Sequence, residues 1–247
     1  MYHNVSVMKK LILVYVIFAL ISCVTESESN TIFDAGYDYF PLADEGTTFT
    51  YDIELTIFSN SGMDVEKSSF VQREDVIESS MLSNSKSTYK TEVWQSRSGN
   101  DPWNYISVNT TELNELQGIQ SVNSDRIIKM VFPIEIDREW DGLGLIGGID
   151  PINITGEEID FYKNWNFKIL GFESNEEYSD ILVIQQADYD NGLERRYSIE
   201  KYAKNVGLIY AEQIILDTQC ISECQNLEWE AKAHNGIIMT KTLRSIN

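Results

Sequence analysis

Between Thr47 and Phe58 every second residue is large and apolar. Phe49, Tyr51, Ile53, Leu55 and Ile57 alternate with Thr48, Thr50, Asp52, Glu54 and Thr56. A period of two sends the two sets to opposite faces of an extended chain, so this run predicts a strand with one dry side and one wet side. Ser59-Asn60-Ser61-Gly62 reads as a turn, and Val65–Glu74 can return as the hairpin partner. Ser87–Gln95 and Trp103–Val108 are further β-rich runs, broken by Ser98-Gly99-Asn100-Asp101-Pro102. Arg126–Ile134 is apolar on both faces and predicts a central strand near its end at Pro133. Asn164–Phe172, Tyr178–Gln186, Leu193–Tyr202, Gly207–Leu216, Leu227–Ala233 and Ile237–Leu243 complete the strands. They are separated by turns at Asp190-Asn191-Gly192, Asn205-Val206-Gly207 and His234-Asn235-Gly236. Asn-Gly is a strong hairpin signal because both residues tolerate positive φ. Helical periodicity is weak; Ile77–Ser83 and Glu112–Gln117 could each form a turn or two of helix. The expected fold is all-β: a mainly antiparallel meander forming a curved sheet, half-barrel or sandwich, with minor helix.

The N-terminus follows a different pattern. Lys9-Lys10 precede an apolar run, Leu11–Ile21, which ends in Ser22 and Cys23. The run has the length of a signal h-region and is short for a spanning helix. Leu20-Ile21-Ser22-Cys23 resembles the signal of bacterial lipoproteins. The resemblance implies a signal helix within residues 1–22, cleavage before Cys23, lipid on its sulfur, and attachment to a membrane through that lipid. Residues 23–37 then read as a polar, acidic, flexible tether, and residues 38–247 as one antiparallel β domain. Met8 is a more ordinary start than Met1. Val24 stands where an aspartate retains some lipoproteins at the inner membrane, so the expected location is the outer membrane, on its periplasmic face or at the cell surface.

Cleavage removes Lys9 and Lys10 and no acid, which takes the net charge from −20 to −22. That charge repels nucleic acid, so nucleic-acid binding is not expected. Cleavage also removes His3 and leaves His234 as the one histidine, in a turn with no nucleophile beside it. No metal site, no cofactor and no catalytic residue are expected, and the chain reads as a non-enzyme. Asp188-Tyr189-Asp190-Asn191-Gly192 has its glycine too early for a calcium loop and reads as a β-turn. Cys220 and Cys224 form a C-x3-C pair. An oxidising compartment favours a disulfide, with free thiols as the alternative; zinc lacks a second pair.

Three stretches carry a wider resemblance. Tyr39-Phe40-Pro41-Leu42 with Gly46, Phe49 and Tyr51 opens the domain; Tyr202-Ala203-Lys204-Asn205-Val206-Gly207-Leu208-Ile209-Tyr210 with Glu212 comes late; Gly236–Leu243 closes it. Together they resemble uncharacterised exported lipoproteins of the Bacteroidota type, with Phe49 where tryptophan is usual. The resemblance implies an exported antiparallel β protein and supplies no activity. Function is therefore expected to lie in binding or structure, by a monomer with a protein or glycan partner. The alternatives are a carrier of an apolar ligand inside a curved sheet, a surface glycan-binding lipoprotein, and, least favoured, a carboxylate-dependent hydrolase. Trp94, Trp103, Tyr105, Trp140 and Trp165 lie in or beside turn-rich stretches and are the candidate ligand-contact aromatics, with packing as their other use.

Overall fold

The computed structural model describes residues 36–41, 43–83, 86–122, 125–148, 151–220, 223–224 and 226–247. The signal segment, Cys23 and Leu42 lie outside them. Among the described residues, two antiparallel meanders meet at one seam. The first is β1 (Thr48–Ser59), β2 (Asp64–Ser83), β3 (Lys86–Ser96), β4 (Asn104–Asn114), β5 (Gln117–Val122) and β6 (Asp125–Val131). β7 (Glu139–Trp140) follows, then a separate hairpin of β8 (Ile152–Ile154) and β9 (Glu157–Ile159). The second meander is β10 (Phe167–Glu173), β11 (Ile181–Asp190), β12 (Glu194–Ala203), β13 (Gly207–Asp217) and, after helix α1 (Trp229–Lys232), β14 (Asn235–Ile246). The first and last strands pair, so the 12-stranded sheet has the order β6-β5-β4-β3-β2-β1-β14-β13-β12-β11-β10-β7.

A twisted sheet of this width curls. Here its two ends meet. The Ile128 N–H of β6 donates to the Gly142 carbonyl at 2.8 Å, and the Trp140 indole Nε1–H donates to the Ile128 carbonyl at 2.8 Å. The result is a nearly closed barrel whose open edge is capped by one indole and one glycine. A Cβ on Gly142 would sit 2.4 Å from the Phe167 ring, so only glycine lets the capping segment lie this close.

The alternation in β1 reads through to the fold: Tyr51 and Ile53 face inward and are buried. Several expectations are corrected. Arg126–Ile134 is not central. Its strand, β6, is an edge, and it looks apolar on both faces because the capping segment covers it. Ile77–Ser83 is no helix; it extends β2, held by pairing with β3 such as Glu78 with Lys90 and Ser80 with Thr88. Glu112–Gln117 ends β4, turns and begins β5. Leu227–Ala233 is not a strand; it contains α1, which the Trp229 indole ties to Asp190 at 2.8 Å. His234-Asn235-Gly236 is not a tight hairpin turn, because Asn235 and Gly236 already pair with Asp217 and Leu216. Gly236 has φ +127°, and a Cβ there would lie 2.0 Å from the Ile215 carbonyl oxygen.

The interior is divided. One side, between β6, β10 and β11, is apolar, with Met130, Phe132, Phe167, Ile169, Leu182 and Ile184 almost wholly buried. The other side, around β1–β5 and β14, carries polar and charged groups. Below them, Ile154, Ile159 and Phe161 pack on Ile215 and plug the barrel with help from Trp165.

Candidate functional site

Arg73 organises the outer face of β2, β3 and β4. Register sets Arg73 directly across from Trp94, and Trp94 across from Tyr105. A bulge in β4 adds Ile106 between Tyr105 and Ser107 and turns Tyr105 outward beside Trp94. The two rings meet edge-on at 5.3 Å. The Arg73 guanidinium lies 4.5 Å from the Trp103 ring centroid and 5.9 Å from that of Trp94. It is fixed by Asp75, which accepts from Arg73 Nε at 3.0 Å and from Thr48 Oγ1 at 2.9 Å. A guanidinium over an indole is attracted by the ring quadrupole, and clamping it fixes the ring in turn. The loop that delivers Trp103 is built the same way. Ser96 Oγ donates to the Asp101 carbonyl and accepts from the Gly99 N–H, both at 3.1 Å. Tyr105 is 52% exposed, and Ile106 and Val108 beside it are exposed as well. The Trp94 Nε1–H is buried and finds no acceptor among the described residues. The face thus offers a fixed aromatic ledge and a cation.

The interior holds a second arrangement. A cavity of about 60 Å³ lies among Tyr51, Glu74, Tyr89, Thr111, Tyr202 and Lys241. Glu74 accepts from Lys241 Nζ at 2.5 Å and from Gln72 Nε2 at 2.8 Å. Lys241 Nζ also sits 4.0 Å from the centroid of the Tyr51 ring. Glu200 on β12 pairs with Lys129 on β6 and accepts from the Tyr202 hydroxyl at 2.6 Å. Lys129 is the extra residue of a bulge in β6, and its ion pair spans the interior. Burial holds the Tyr51 phenol well above the usual tyrosine range, with the Glu74 carboxylate adding to it. Burial likewise pushes Tyr89 up to about 12. Burial and then the Glu200 carboxylate raise Tyr202. These phenols stay neutral donors across the physiological range, and each carboxylate is engaged by an ammonium.

Of the five candidate aromatics, Trp94, Trp103 and Tyr105 come together and Trp140 and Trp165 do not join them. Trp140 packs on Phe167 with its ring tilted and the centroids 5.5 Å apart, and closes the seam; Trp165 packs on Phe161, Tyr162 and Phe167. Arg73 was missed, because an arginine on the wet side of a strand carries no signal until the register with Trp94 is known. The inward lysines did leave a trace. Lys241 interrupts the inward series Ile237, Met239 and Leu243, and Lys129 interrupts an apolar run. Cys220 and Cys224 form a disulfide with Cα atoms 5.7 Å apart. His234 Nδ1 accepts from the Gln219 N–H at 3.1 Å. Asp190 accepts from the Gly192 N–H at 2.8 Å in a hairpin turn. Among the described residues, no group of three or more His, Cys, Asp or Glu side chains could hold a metal ion.

No family model matches the chain, and no curated protein matches it. Two solved structures are similar in outline. One, from Bacteroides fragilis, is a protein inferred to be exported, with a YmcC-like fold; it shares 11% identity and a TM-score of 0.41 over 83% of this chain and 97% of its own. The other, inferred to be a lipoprotein, from Parabacteroides distasonis, shares 12% identity and a TM-score of 0.38 over 85% of this chain and 98% of its own. At such scores neither likeness bears on what the chain does.

Proposed function

We propose that this chain is a lipid-anchored outer-membrane protein without catalytic activity, and that it binds a glycan on the outer face of β2–β4. The anchor rests on the sequence of Leu20–Cys23. The binding reading rests on one observation: Trp103, Trp94 and Tyr105 are gathered and fixed around Arg73 on a partly exposed face. Aromatic faces stack on the C–H faces of sugar rings, and fixing them beforehand lowers the entropy lost on binding. The other readings find less support inside the barrel. Pockets for small molecules usually measure about 300–1,000 Å³. The interior cavity, at about 60 Å³, is far smaller, and Glu74 and Lys241 stand in its wall beside Phe40, Phe49 and Leu208, so it has no room for an apolar cargo. A hydrolase needs a carboxylic acid free to give up a proton, whereas Glu74 and Glu200 are each held by a lysine.

The test is affinity electrophoresis of the mature chain, with Cys23→Ser to keep it free of lipid, through gels containing bacterial and plant polysaccharides. Retardation by at least one polysaccharide is expected, together with its loss in Trp103→Ala/Tyr105→Ala. If no polysaccharide slows the parent chain more than that double variant, the glycan reading fails.

A further inference from the structure

A second exposed patch lies where the chain enters the barrel. Gly36 packs against Ile134, and the Tyr37 ring meets Phe132 at 4.6 Å. The Tyr37 hydroxyl donates to the Glu115 carbonyl at 3.0 Å, and the Phe132 N–H donates to the Leu116 carbonyl at 2.8 Å. The Asp137 N–H donates to the Ile169 carbonyl at 2.9 Å, and the Tyr39 ring lies 5.8 Å from that of Phe172. These contacts bring Tyr37, Leu116, Ile136, Leu170 and Phe172 to one end of the barrel. All five are exposed, Leu116 at 72% and Ile136 at 57%. A scattered apolar residue on a surface is ordinary; five gathered where the chain enters the barrel are not.

We infer that this end rests on the lipid surface that holds the anchor, with Leu116, Ile136, Leu170 and Phe172 at the interface. The inference rests on the proposed lipidation of Cys23. Twelve residues lie between Cys23 and Gly36, and such a length reaches no farther than about 45 Å. β4 alone is about 35 Å long, with Tyr105 at one end and Leu116 just past the other. Gly36 is where that tether joins the barrel, so a lipid on Cys23 keeps this end within about 45 Å of the bilayer, and the exposed apolar groups at the same end give it a face to rest on. Charge selects the kind of surface. Glu115 and Glu135 flank the patch, Asp137 and Asp38 beside it are paired with Lys168 and Lys204, and the mature chain carries a net charge of −22, so the surface is zwitterionic and not anionic. In this pose β4 stands the aromatic face of Arg73 off the membrane.

The test couples the mature chain through Cys23 to a maleimide lipid in phosphatidylcholine vesicles and follows amide hydrogen exchange. Chemical coupling makes the result independent of acylation in the cell, which the mass of the native N-terminal peptide decides separately. Amides in 114–117 and 134–137 should exchange at least about threefold more slowly on vesicles than in the free chain, while 97–103 is unchanged. Leu116→Glu/Ile136→Glu, both exposed positions, should keep the fold and return the free rates. Equal exchange with and without vesicles overturns the inference, as does protection that survives in the double variant. Protection that grows with tether density and vanishes at one chain per vesicle points to a second copy and overturns it too.

Discussion

Trp140 and Trp103 are both tryptophans beside turns, yet they do opposite work. Trp140 is turned into the barrel, where its ring packs on Phe167 and its N–H closes the seam at Ile128. Trp103 is turned outward, where its partner is a guanidinium and not an apolar side chain. The difference lies in what lies beneath each ring. An indole over a dry core is bound to the stability of the whole sheet. An indole over a clamped arginine can be removed without disturbing it.

The largest effects should come from the inner set. Trp140→Ala removes a ring and the bond that seals the edge, and should lower unfolding free energy by about 3–5 kcal/mol in urea titrations. Glu200→Ala leaves Lys129 buried without its partner and should cost a similar amount, about 3–5 kcal/mol. If either variant loses less than Trp103→Ala, the division between inner and outer aromatics is wrong.

High pH probes the inner wall next. Tyr51, Tyr89 and Tyr202 have pKa values raised in the fold, so the protonated phenol is the form the fold favours. Their contribution is complete below the unfolded value near 10 and is lost as pH climbs through the folded values, which for Tyr89 means about 12. Across that window stability should fall by about 1.4 kcal/mol per pH unit for each such tyrosine, and their 295 nm absorbance should rise only on unfolding. Ionisation at pH 10 in the native chain would remove these tyrosines from the inner wall.

Smaller effects follow. Reduction of Cys220–Cys224 opens a loop of only five residues and should cost at most about 2 kcal/mol, measured by urea titration with and without reductant. Arg73→Ala should change stability by less than about 1 kcal/mol, since the pair with Asp75 is partly solvated, while abolishing retardation by polysaccharide. A large loss of stability here would make the Arg73 group a structural clasp.

What could be read from the sequence was what is local. The alternation of β1 and the Asn191-Gly192 turn depend on neighbours in the chain, and both appear as expected. The errors share a cause in pairing over distance. β6 has the composition of a central strand because Trp140 and Gly142, more than ten residues on, cover it. The segment from Ile77 to Ser83 has no clear period, and only its ladder with β3 makes it extended. At the outer face three of the four residues stand out in the sequence as candidate contact aromatics, but their convergence needed the register of two hairpins and a bulge at Ile106.

The seam between β1 and β14 bears on how such a chain matures. Phe49 pairs with Ile246, so the middle of the sheet is made by the first strand and the last. A chain delivered from its N-terminus keeps β1 as an unpaired edge on that side until the twelve residues of β14 arrive. Contacts so distant in sequence form late and slowly. The barrel therefore cannot close before β14 is in place, and until then the edge of β1 is open to wrong pairing.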